Sequence, residues 1–289
     1  MLIVFNPAAG LGRRRRLERA LDVLRGLAIR HEVVETRHAG HASVIARAAA
    51  RSGLRTVVAA GGDGTIAEVT SGLSGSGSRL GILPLGTANV LACEIGLPLD
   101  PKRAAEVLAC DRPRMVHPGV ARFADGSERL FVQMLGAGLD AAVVANLNLG
   151  LKRLIGRSAY VWQTLRELPR YAFPRIEITI DGVATSAASV IVTKGHYYAG
   201  RFVLAPAARP VEPGFHVALL HRGGACGAML AAAALPLGLL PRLPGLELRR
   251  ASRVTLGGAD IPVQADGDPA GRLPVRIEDA PSPIALLMP

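Results

Sequence analysis

Apolar residues in the first third of the chain alternate between short unbroken runs and stretches with a period of about 3.6 residues. The runs predict strands at Leu2–Phe5, His31–Glu35, Arg55–Ala60 and Arg79–Leu83. The periodic stretches predict helices at Arg13–Leu27, Ala42–Arg51, Thr65–Leu73 and Thr87–Ile95. Strands that alternate with helices in this way predict a parallel sheet with crossover connections.

After about Met115 the pattern changes, because strand-like runs follow one another with a single helical stretch at Leu151–Leu168. The fold class is therefore α/β, with an N-terminal parallel-sheet domain at residues 1–115 and a mostly antiparallel β domain at residues 116–289. The C-terminal tail of the second domain can return to the first. The strands predicted in the second domain are Leu130–Leu135, Ile176–Ile180, Ser189–Thr193, Phe202–Ala205, Phe215–Leu220, Arg253–Leu256 and Pro274–Ile277.

The charge balance indicates an anionic partner. The 289 residues include 34 Lys and Arg against 23 Asp and Glu, which gives a net charge of +11. A nucleotide, a nucleic acid or an acidic membrane would match this charge. Aromatic residues make up only 4% of the chain, which argues against stacking platforms for single-stranded nucleic acid. We expect no nucleic-acid partner.

Cysteines and apolar segments bear on the compartment. Cys93, Cys110 and Cys226 lack metal-ligand spacing and fit free thiols in a reducing cytosol. The apolar run before Asn6 is too short for a secretory signal. The uncharged stretch Gly223–Pro241 contains glycines and prolines, so we interpret it as a buried helix with a loop and not as a membrane span. A membrane-contacting element is the alternative.

The most informative motif is Gly61–Thr65, which lies between a predicted buried strand and a predicted helix. Its glycines let a ligand approach the backbone closely, and free N–H groups at a helix N-terminus favour phosphate. The charge of Asp63 opposes that of a phosphate. An aspartate at this position is explained if it accepts a proton from an attacking hydroxyl or holds a water on Mg²⁺. The alternative is a tight turn in which Asp63 or Thr65 caps the helix.

Three loops are expected at one edge of the first sheet. The predicted first, third and fourth strands run into Asn6-Pro7, Gly61–Asp63 and Pro84–Thr87. Because ligands of parallel sheets bind beyond the carboxyl ends of the strands, this convergence indicates a binding site.

Together the three loops resemble the motif set of the diacylglycerol kinase catalytic family, which includes bacterial lipid kinases, sphingosine kinases and ceramide kinases. The matching segments are Asn6–Gly10, Gly61–Thr65 and Pro84–Asn89, and Gly40–Ala42 also fits. The resemblance is dense over residues 1–98 and thinner over residues 116–280. It implies an ATP-binding domain at residues 1–115 and a lipid-substrate domain at residues 116–289.

The resemblance also implies roles for individual residues around ATP. Thr36 would lie near the adenosine, and Thr87 would bind a phosphate through its hydroxyl. Taken singly, Asn6 also fits an Asn-Pro turn, and Thr65 and Thr87 also fit helix caps. The implied cofactor-binding set is Asn6, Gly10, Thr36, Gly61, Gly62, Gly64, Thr65, Glu68 and Thr87.

A second catalytic candidate is Asp268. Residues Asp266–Asp268 align with the Asp-Gly-Glu of the family, whose acidic third residue is a proposed base in bacterial members. Aspartate is one methylene shorter, and a base misplaced by about an ångström can lose on the order of 10²-fold in rate. Asp63 is therefore the alternative principal base, and an ordinary Asp-Gly hairpin is the alternative structure.

Another departure concerns a structural Mg²⁺ site. Bacterial relatives carry an acidic residue directly before the glycine that corresponds to Gly214, whereas Pro213 stands here and Glu212 is displaced by one position. We therefore expect no protein-bound metal at this position. Mg²⁺ on the phosphates of ATP is expected, because phosphoryl transfer requires charge neutralisation.

Two further features have weaker implications. Gly136–Ala141 imitates a dinucleotide fingerprint but lacks the acidic residue and the second half of such a unit. The resemblance instead implies that Asp140 faces the lipid side of the cleft, and a surface turn is the alternative. The basic clusters could contact an acidic bilayer or could be solvated helix faces. They are Arg13–Arg16, Lys152-Arg153 with Arg157, and Arg249-Arg250 with Arg253.

The resemblance implies an ATP-dependent lipid kinase that transfers the γ-phosphate of ATP to a lipid hydroxyl. Its partners would be the lipid substrate and an anionic membrane surface, and a homodimer stays open. We expect a cytoplasmic protein associated peripherally with the inner face of the cell membrane. Two alternatives remain, a soluble-substrate kinase of the NAD kinase type and a non-catalytic nucleotide sensor.

Overall fold

The computed structural model describes residues 1–7, 12–147, 158–258 and 260–289. The chain forms two compact units, the first from residues 1–117 together with 281–289, and the second from residues 118–280. The final strand of the chain thus belongs to the first unit.

The first unit contains a six-stranded sheet in the order β2-β1-β3-β4-β20-β5. Neighbours from β2 to β20 are parallel, and only β5 runs antiparallel to β20. The parallel sheet predicted from the alternating pattern is confirmed. The strands are β1 (Leu2–Phe5), β2 (Glu32–Glu35), β3 (Thr56–Gly61), β4 (Arg79–Pro84), β5 (Pro113–Val116) and β20 (Ile284–Leu287).

Five helices accompany this sheet in the described residues. The predicted helix at Thr87–Ile95 is shorter than expected, because Asn89 has a left-handed backbone (φ 50°) that delays the helix to Val90. The last helix was not predicted, although Asp100 caps it and Pro101 occupies its first turn. The helices are α1 (Arg13–Gly26), α2 (His41–Arg51), α3 (Asp63–Leu73), α4 (Val90–Glu94) and α5 (Pro101–Cys110).

The core of the first unit lies between its sheet and its helices. Leu21 and Leu24 of α1 join Phe5, Val58 and Leu83 of the sheet in one buried cluster. Helices α2 and α3 cross closely, because a Cβ at Gly72 would come within 2.4 Å of the Ser43 carbonyl oxygen. This packing fixes the direction in which α3 leaves the sheet edge.

The second unit contains two six-stranded sheets, in the orders β10-β9-β16-β19-β6-β7 and β15-β14-β11-β8-β17-β18. Their strand pairs are antiparallel, as predicted. Their facing side chains form one core. The strands are β6 (Gly119–Phe123), β7 (Glu128–Phe131), β8 (Met134–Ala137), β9 (Ile176–Ile180), β10 (Val183–Ala187), β11 (Ser189–Thr193), β14 (Phe215–Leu220), β15 (Leu246–Ala251), β16 (Arg253–Gly257), β17 (Pro262–Ala265), β18 (Asp268–Arg272) and β19 (Val275–Asp279), with a separate hairpin of β12 (Tyr197–Tyr198) and β13 (Phe202–Val203).

The strand predicted at Leu130–Leu135 is instead two strands in different sheets, β7 and β8. The chain breaks at Val132 and Gln133, whose backbone N–H groups donate to the side chain of Asp266 rather than to a neighbouring strand. A continuous apolar run concealed this break.

In the described residues of the second unit, the helices are α6 (Leu139–Ala145), α7 (Ser158–Glu167) and α8 (Gly224–Ala234), with a 3₁₀ turn at Leu240–Arg242. The first residues of the helix predicted at Leu151–Leu168 lie outside the described residues. Within the described part of the chain, no helix combines the length and the apolar character needed to cross a bilayer.

The prediction that Gly223–Pro241 contains a buried helix is wrong. Helix α8 forms there, but only Ala234 of its residues is buried. Apolar composition suggested burial, whereas the core between the two sheets is filled by strand residues and includes no residue of α8.

Candidate functional site

The three glycine-containing loops lie side by side at the carboxyl edge of the first sheet. Phe5 pairs with Ala60, and Gly61 pairs with Pro84, so β1, β3 and β4 end at the same level. The residues that follow these strands therefore face the same space beyond the sheet.

Asn6 and Thr65 connect two of these loops. The side-chain amide of Asn6 donates to the Thr65 hydroxyl at 3.1 Å. A Cβ at Gly61 would lie 2.4 Å from the same hydroxyl oxygen, so only glycine fits beneath Thr65. The alternative in which Asn6 merely forms an Asn-Pro turn does not account for this contact.

The second and third loops pack backbone against backbone. A Cβ at Gly86 would lie 2.5 Å from the Cα of Gly62. The amide of Asn89 donates to the Gly86 carbonyl at 2.9 Å, while its own buried oxygen has no hydrogen-bond partner among the described residues. An unsatisfied buried acceptor of this kind requires an explanation.

Asp63 is the first residue of α3, but its carboxylate caps a different helix. Its Oδ1 accepts a hydrogen bond from the backbone N–H of Val90, at the start of α4, at 2.7 Å. Burial raises the pKa of Asp63, and backbone N–H groups around the start of α4 oppose this rise. The alternative in which Asp63 caps its own helix is therefore wrong, because no side chain caps α3.

The other residues that were predicted to contact the nucleotide differ in their burial and hydrogen bonds. Both carboxylate oxygens of Glu68 accept backbone N–H groups at the start of α2, from Gly40 at 2.8 Å and Ala42 at 3.0 Å. Thr36 follows β2 and is partly buried, and Thr87 is exposed. Gly10 lies outside the described residues. Glu68 thus stabilises the turn before α2, and a direct contact with nucleotide stays a prediction.

The sequence reasoning missed Arg13, which is 7% exposed at the start of α1. One terminal nitrogen of its guanidinium is buried without a hydrogen-bond partner in the described chain, and the other lies 4.0 Å from the Cβ position of Gly62. Burial, and then the charge of Arg16, lower the pKa of Arg13 to about 10. A charged guanidinium that no described carboxylate pairs with therefore lies beside the glycine loop.

In the basic cluster Arg13–Arg16, only Arg14 and Arg15 are exposed. Arg13 is buried, and Arg16 donates to the backbone carbonyls of Pro84 at 2.9 Å and Leu99 at 3.0 Å. A signal was available, since Arg13 shares the helical stripe of the buried residues Leu17 and Leu24.

In the second unit, Asp266 and Gly267 form the hairpin turn between β17 and β18, with φ of 51° and 83°. Asp266 accepts three backbone N–H groups, from residues 132 to 134, at 2.8 to 2.9 Å. The hairpin alternative therefore explains this pair. Asp268 is half-buried, and its carboxylate has no hydrogen-bond partner in the described residues.

Asp140 is not part of a surface turn. It lies on α6 and accepts hydrogen bonds from the Tyr198 hydroxyl at 2.6 Å and the Gln264 amide at 2.9 Å. Burial raises its pKa. Gln264 in turn accepts the Gly267 N–H at 2.9 Å, so Asp140 is connected to the turn that precedes Asp268.

Comparisons with known proteins agree with this arrangement. The model of the diacylglycerol kinase catalytic domain matches residues 1–121, and that of the YegS C-terminal NAD kinase beta sandwich-like domain matches residues 133–288. A probable YegS-like lipid kinase of Pseudomonas aeruginosa is 30% identical over 265 residues, which cover 86% of this chain and 82% of that protein. The chain belongs to the YegS-like family of lipid kinases.

Two diacylglycerol kinases are also similar to the chain. A diacylglycerol kinase of Mycobacterium tuberculosis is 27% identical over 246 residues, covering 84% of this chain and 79% of that protein. The crystal structure of a diacylglycerol kinase from Bacillus anthracis superposes with a TM-score of 0.77 at 22% identity, covering 100% of this chain and 96% of that one. At this identity the superposition supports the fold alone.

The structural Mg²⁺ site of bacterial family members does not fit the residues of this chain. The side chain of Pro213 has no ligand atom, and Glu212 is exposed with its carboxylate 3.4 Å from Arg250. The ammonium of Lys194 instead donates to Asp279 and, at 2.7 Å, to the Gly214 carbonyl. Among the described residues, no group of His, Cys, Asp and Glu side chains could hold a metal ion.

Proposed function

We propose that the protein is an ATP-dependent lipid kinase, which transfers the γ-phosphate of ATP to the hydroxyl of a lipid such as diacylglycerol or a sphingoid or ceramide-like lipid. The names of its relatives support the class of reaction. A guanidinium nitrogen of Arg13 that has no partner among the described residues, in a side chain beside the glycine loop, supports a phosphate ligand most directly.

The nucleotide would bind at the carboxyl edge of the first sheet. Gly61, Gly62, Gly64 and Thr65 would bring the phosphates against the N-terminus of α3, where N–H groups and the helix dipole favour anions. The guanidinium of Arg13 would give a charge-assisted hydrogen bond to a phosphate oxygen.

The other residues proposed to contact ATP surround this loop. Mg²⁺ bound with ATP would neutralise the charge on the phosphates. No step depends on a protein ligand for that metal. The remaining proposed nucleotide residues are Asn6, Gly10, Thr36, Glu68 and Thr87.

Asp63 is the proposed acceptor of the proton from the lipid hydroxyl, and Asp268 is a second candidate. The raised pKa of Asp63 strengthens it as a base, because its affinity for a proton is higher. Its hydrogen bond to Val90 fixes one carboxylate oxygen and orients the other. Asp140, through Gln264, would support the turn before Asp268.

One assay tests the function and its alternatives. The protein is incubated with labelled ATP, Mg²⁺ and a total lipid extract, and the products are separated by chromatography. Label in a phosphorylated lipid is the expected result. Label only in an aqueous product would favour a kinase of the NAD kinase type, and ATP binding without turnover would favour a nucleotide sensor.

A further inference from the structure

An exposed apolar segment lies in the second unit. It comprises residues 223–241, that is, α8 and the loop that follows it. Its large side chains are exposed by 60% at Met229, 52% at Leu230 and 69% at Leu237. The large exposed apolar side chains of the first unit, such as Leu27 and Val44, are instead separated along the chain.

Charge is distributed around this apolar segment in an unusual way. No charged residue occurs within it, and the exposed Arg222 and Arg242 stand directly at its two ends. No acidic residue lies between Glu212 and Glu247. Along the chain, the apolar segment is thus flanked by cations, which are complementary to anionic headgroups.

The shape of α8 also favours a bilayer over a protein partner. Its residues are apolar on every side, so there is no polar face to remain in water when one side packs against a protein. Eleven residues span only about 16 Å, roughly half of a hydrocarbon core. A helix of this length cannot cross a membrane, and because it has no polar face it would bury apolar surface on every side when it enters the boundary between headgroups and acyl chains.

The basic clusters that were expected to bind the bilayer are less available than the sequence indicates. Arg249 is paired with Glu247 at 2.6 Å, and Arg253 with Glu278 at 3.1 Å. The cluster around Lys152 lies outside the described residues. An attraction that depends on these charges alone is therefore weakened, whereas the apolar segment is exposed.

We propose that the apolar segment inserts into the membrane interface, with α8 embedded near the level of the headgroups and Arg222 and Arg242 contacting lipid phosphates. This inference deepens the proposed function, since a lipid kinase must reach a substrate held in a bilayer. The reason for insertion rests on the proposed function, whereas insertion itself does not. It predicts binding to neutral vesicles as well, which attraction between charges would not give.

The natural cysteines provide a direct test. Cys226 is exposed on α8, and Cys110 is exposed at the end of α5 in the first unit. Two proteins are made, each with one of these cysteines and with Cys93 replaced by alanine, and each is labelled with an environment-sensitive fluorophore. Vesicles of neutral phosphatidylcholine are expected to raise the emission at Cys226 about several-fold and to leave Cys110 unchanged.

The result at Cys226 decides the proposal. An unchanged signal at Cys226 in the presence of vesicles that the protein co-sediments with would overturn it. A signal that rises with protein concentration and without vesicles would overturn it in favour of a second copy of the chain. Vesicle binding does not depend on turnover, so this outcome is independent of whether the kinase function is correct.

Charge substitution gives a second test. Met229→Asp and Leu230→Asp each place a charge in the apolar segment and are expected to weaken vesicle binding on the order of tenfold. Val44→Asp, at an exposed apolar residue of α2, is the matched control and is expected to bind as the wild type does. Phosphorylation of a short-chain, monomeric diacylglycerol should survive in all three, whereas that of vesicle-embedded lipid should fall only in the first two. Wild-type vesicle binding in both variants would contradict the proposal.

Discussion

Arg13 of the first unit and Lys194 of the second are both buried cations, but their surroundings differ. Lys194 donates to a carboxylate and a backbone carbonyl, and its ammonium lies 4.4 Å from the ring centre of Phe215. Asp279 completes the arrangement, because its second oxygen accepts the Gly214 N–H at 2.7 Å. Arg13 has a guanidinium nitrogen without such a partner in the described chain.

The comparison teaches how to separate a ligand site from a structural polar cluster. A buried cation whose donors are satisfied stabilises the fold and needs nothing more. A buried cation with a donor that no described residue satisfies, next to loops in which Gly61 and Gly86 leave no room for a side chain, is the arrangement expected of a ligand site. The edge of the first sheet is therefore expected to control activity, and the Lys194 cluster to control stability.

The largest expected effect is at Asp63. Asp63→Asn should lower kcat by about 10²–10⁴-fold, because the amide cannot accept the proton. ATP affinity should hold or rise, since the repulsion with phosphate is relieved. Steady-state kinetics and calorimetric ATP binding measure the two quantities, and wild-type kcat in the variant would contradict the assignment.

The same substitution also tests the raised pKa. Because the folded-state pKa of Asp63 lies above its unfolded value, the carboxyl stabilises the fold most below the unfolded pKa, and this contribution is lost as pH rises through the folded pKa. Asp63→Asn should then keep or raise the melting temperature at neutral pH. In the wild type, kcat/KM should fall with acid at a pH above the usual range for aspartate.

The next effect concerns the fold of the second unit. Lys194→Met keeps the length of the side chain but leaves Asp279 without its cation, which should lower the free energy of unfolding by about 3 kcal/mol. Thermal unfolding should shift by roughly 6–12 °C for a unit of this size. Lys102→Met, at an exposed lysine of α5, is the control and should change little. Equal melting temperatures for wild type and Lys194→Met would show that Lys194 does not stabilise the fold, and so does not differ from Arg13 in this respect.

The opposite result is expected at Arg13, where a substitution should weaken ATP binding and leave the stability of the fold unchanged. Arg13→Met removes one charge-assisted contact, so ATP affinity should fall by about 10- to 100-fold. The melting temperature without ligand should be kept, because the substitution removes an unpaired buried charge. Arg15→Met, two residues further along the same helix and exposed, is the matched control. Equal ATP affinity in Arg13→Met and Arg15→Met would rule out Arg13 as the phosphate contact.

The contrast between these cations also marks what the sequence could predict. The convergence of Asn6, Gly61 and Pro84 followed from local patterns, because parallel strands place their carboxyl ends at one edge. Lys194 could not be found this way, since its partners are Gly214 and Asp279, far along the chain. Its burial depends on the pairing of distant strands.

Two further features were not predicted because they depend on distant parts of the chain or on the packing of the core. The break between β7 and β8 arises from Asp266, a partner more than a hundred residues later. The exposure of α8 was missed because composition indicates that a segment is apolar, but not whether a core has room for it. Arg13 was the exception, because its place on the buried stripe of α1 was visible in the sequence.

A smaller effect is expected at Asp268. Asp268→Ala should lower kcat by much less than Asp63→Asn, because the shorter side chain at this position is expected to fall short of the hydroxyl. Steady-state kinetics of both variants on one lipid substrate decide the ranking. Equal losses would make Asp268 an essential partner and would place part of the catalytic chemistry in the second unit.

The smallest expected effect is that of removing divalent cations from the ligand-free protein. The ammonium of Lys194 donates to Asp279 and to the Gly214 carbonyl, and a divalent cation placed beside it would be repelled. Thermal unfolding in excess EDTA should therefore match unfolding in Mg²⁺ or Ca²⁺ at equal ionic strength. Phosphate compounds without metal should still raise the melting temperature of the wild type, because they supply the anion that Arg13 lacks. A melting temperature that falls on chelation would show that the ligand-free protein binds a divalent cation, which would contradict this expectation.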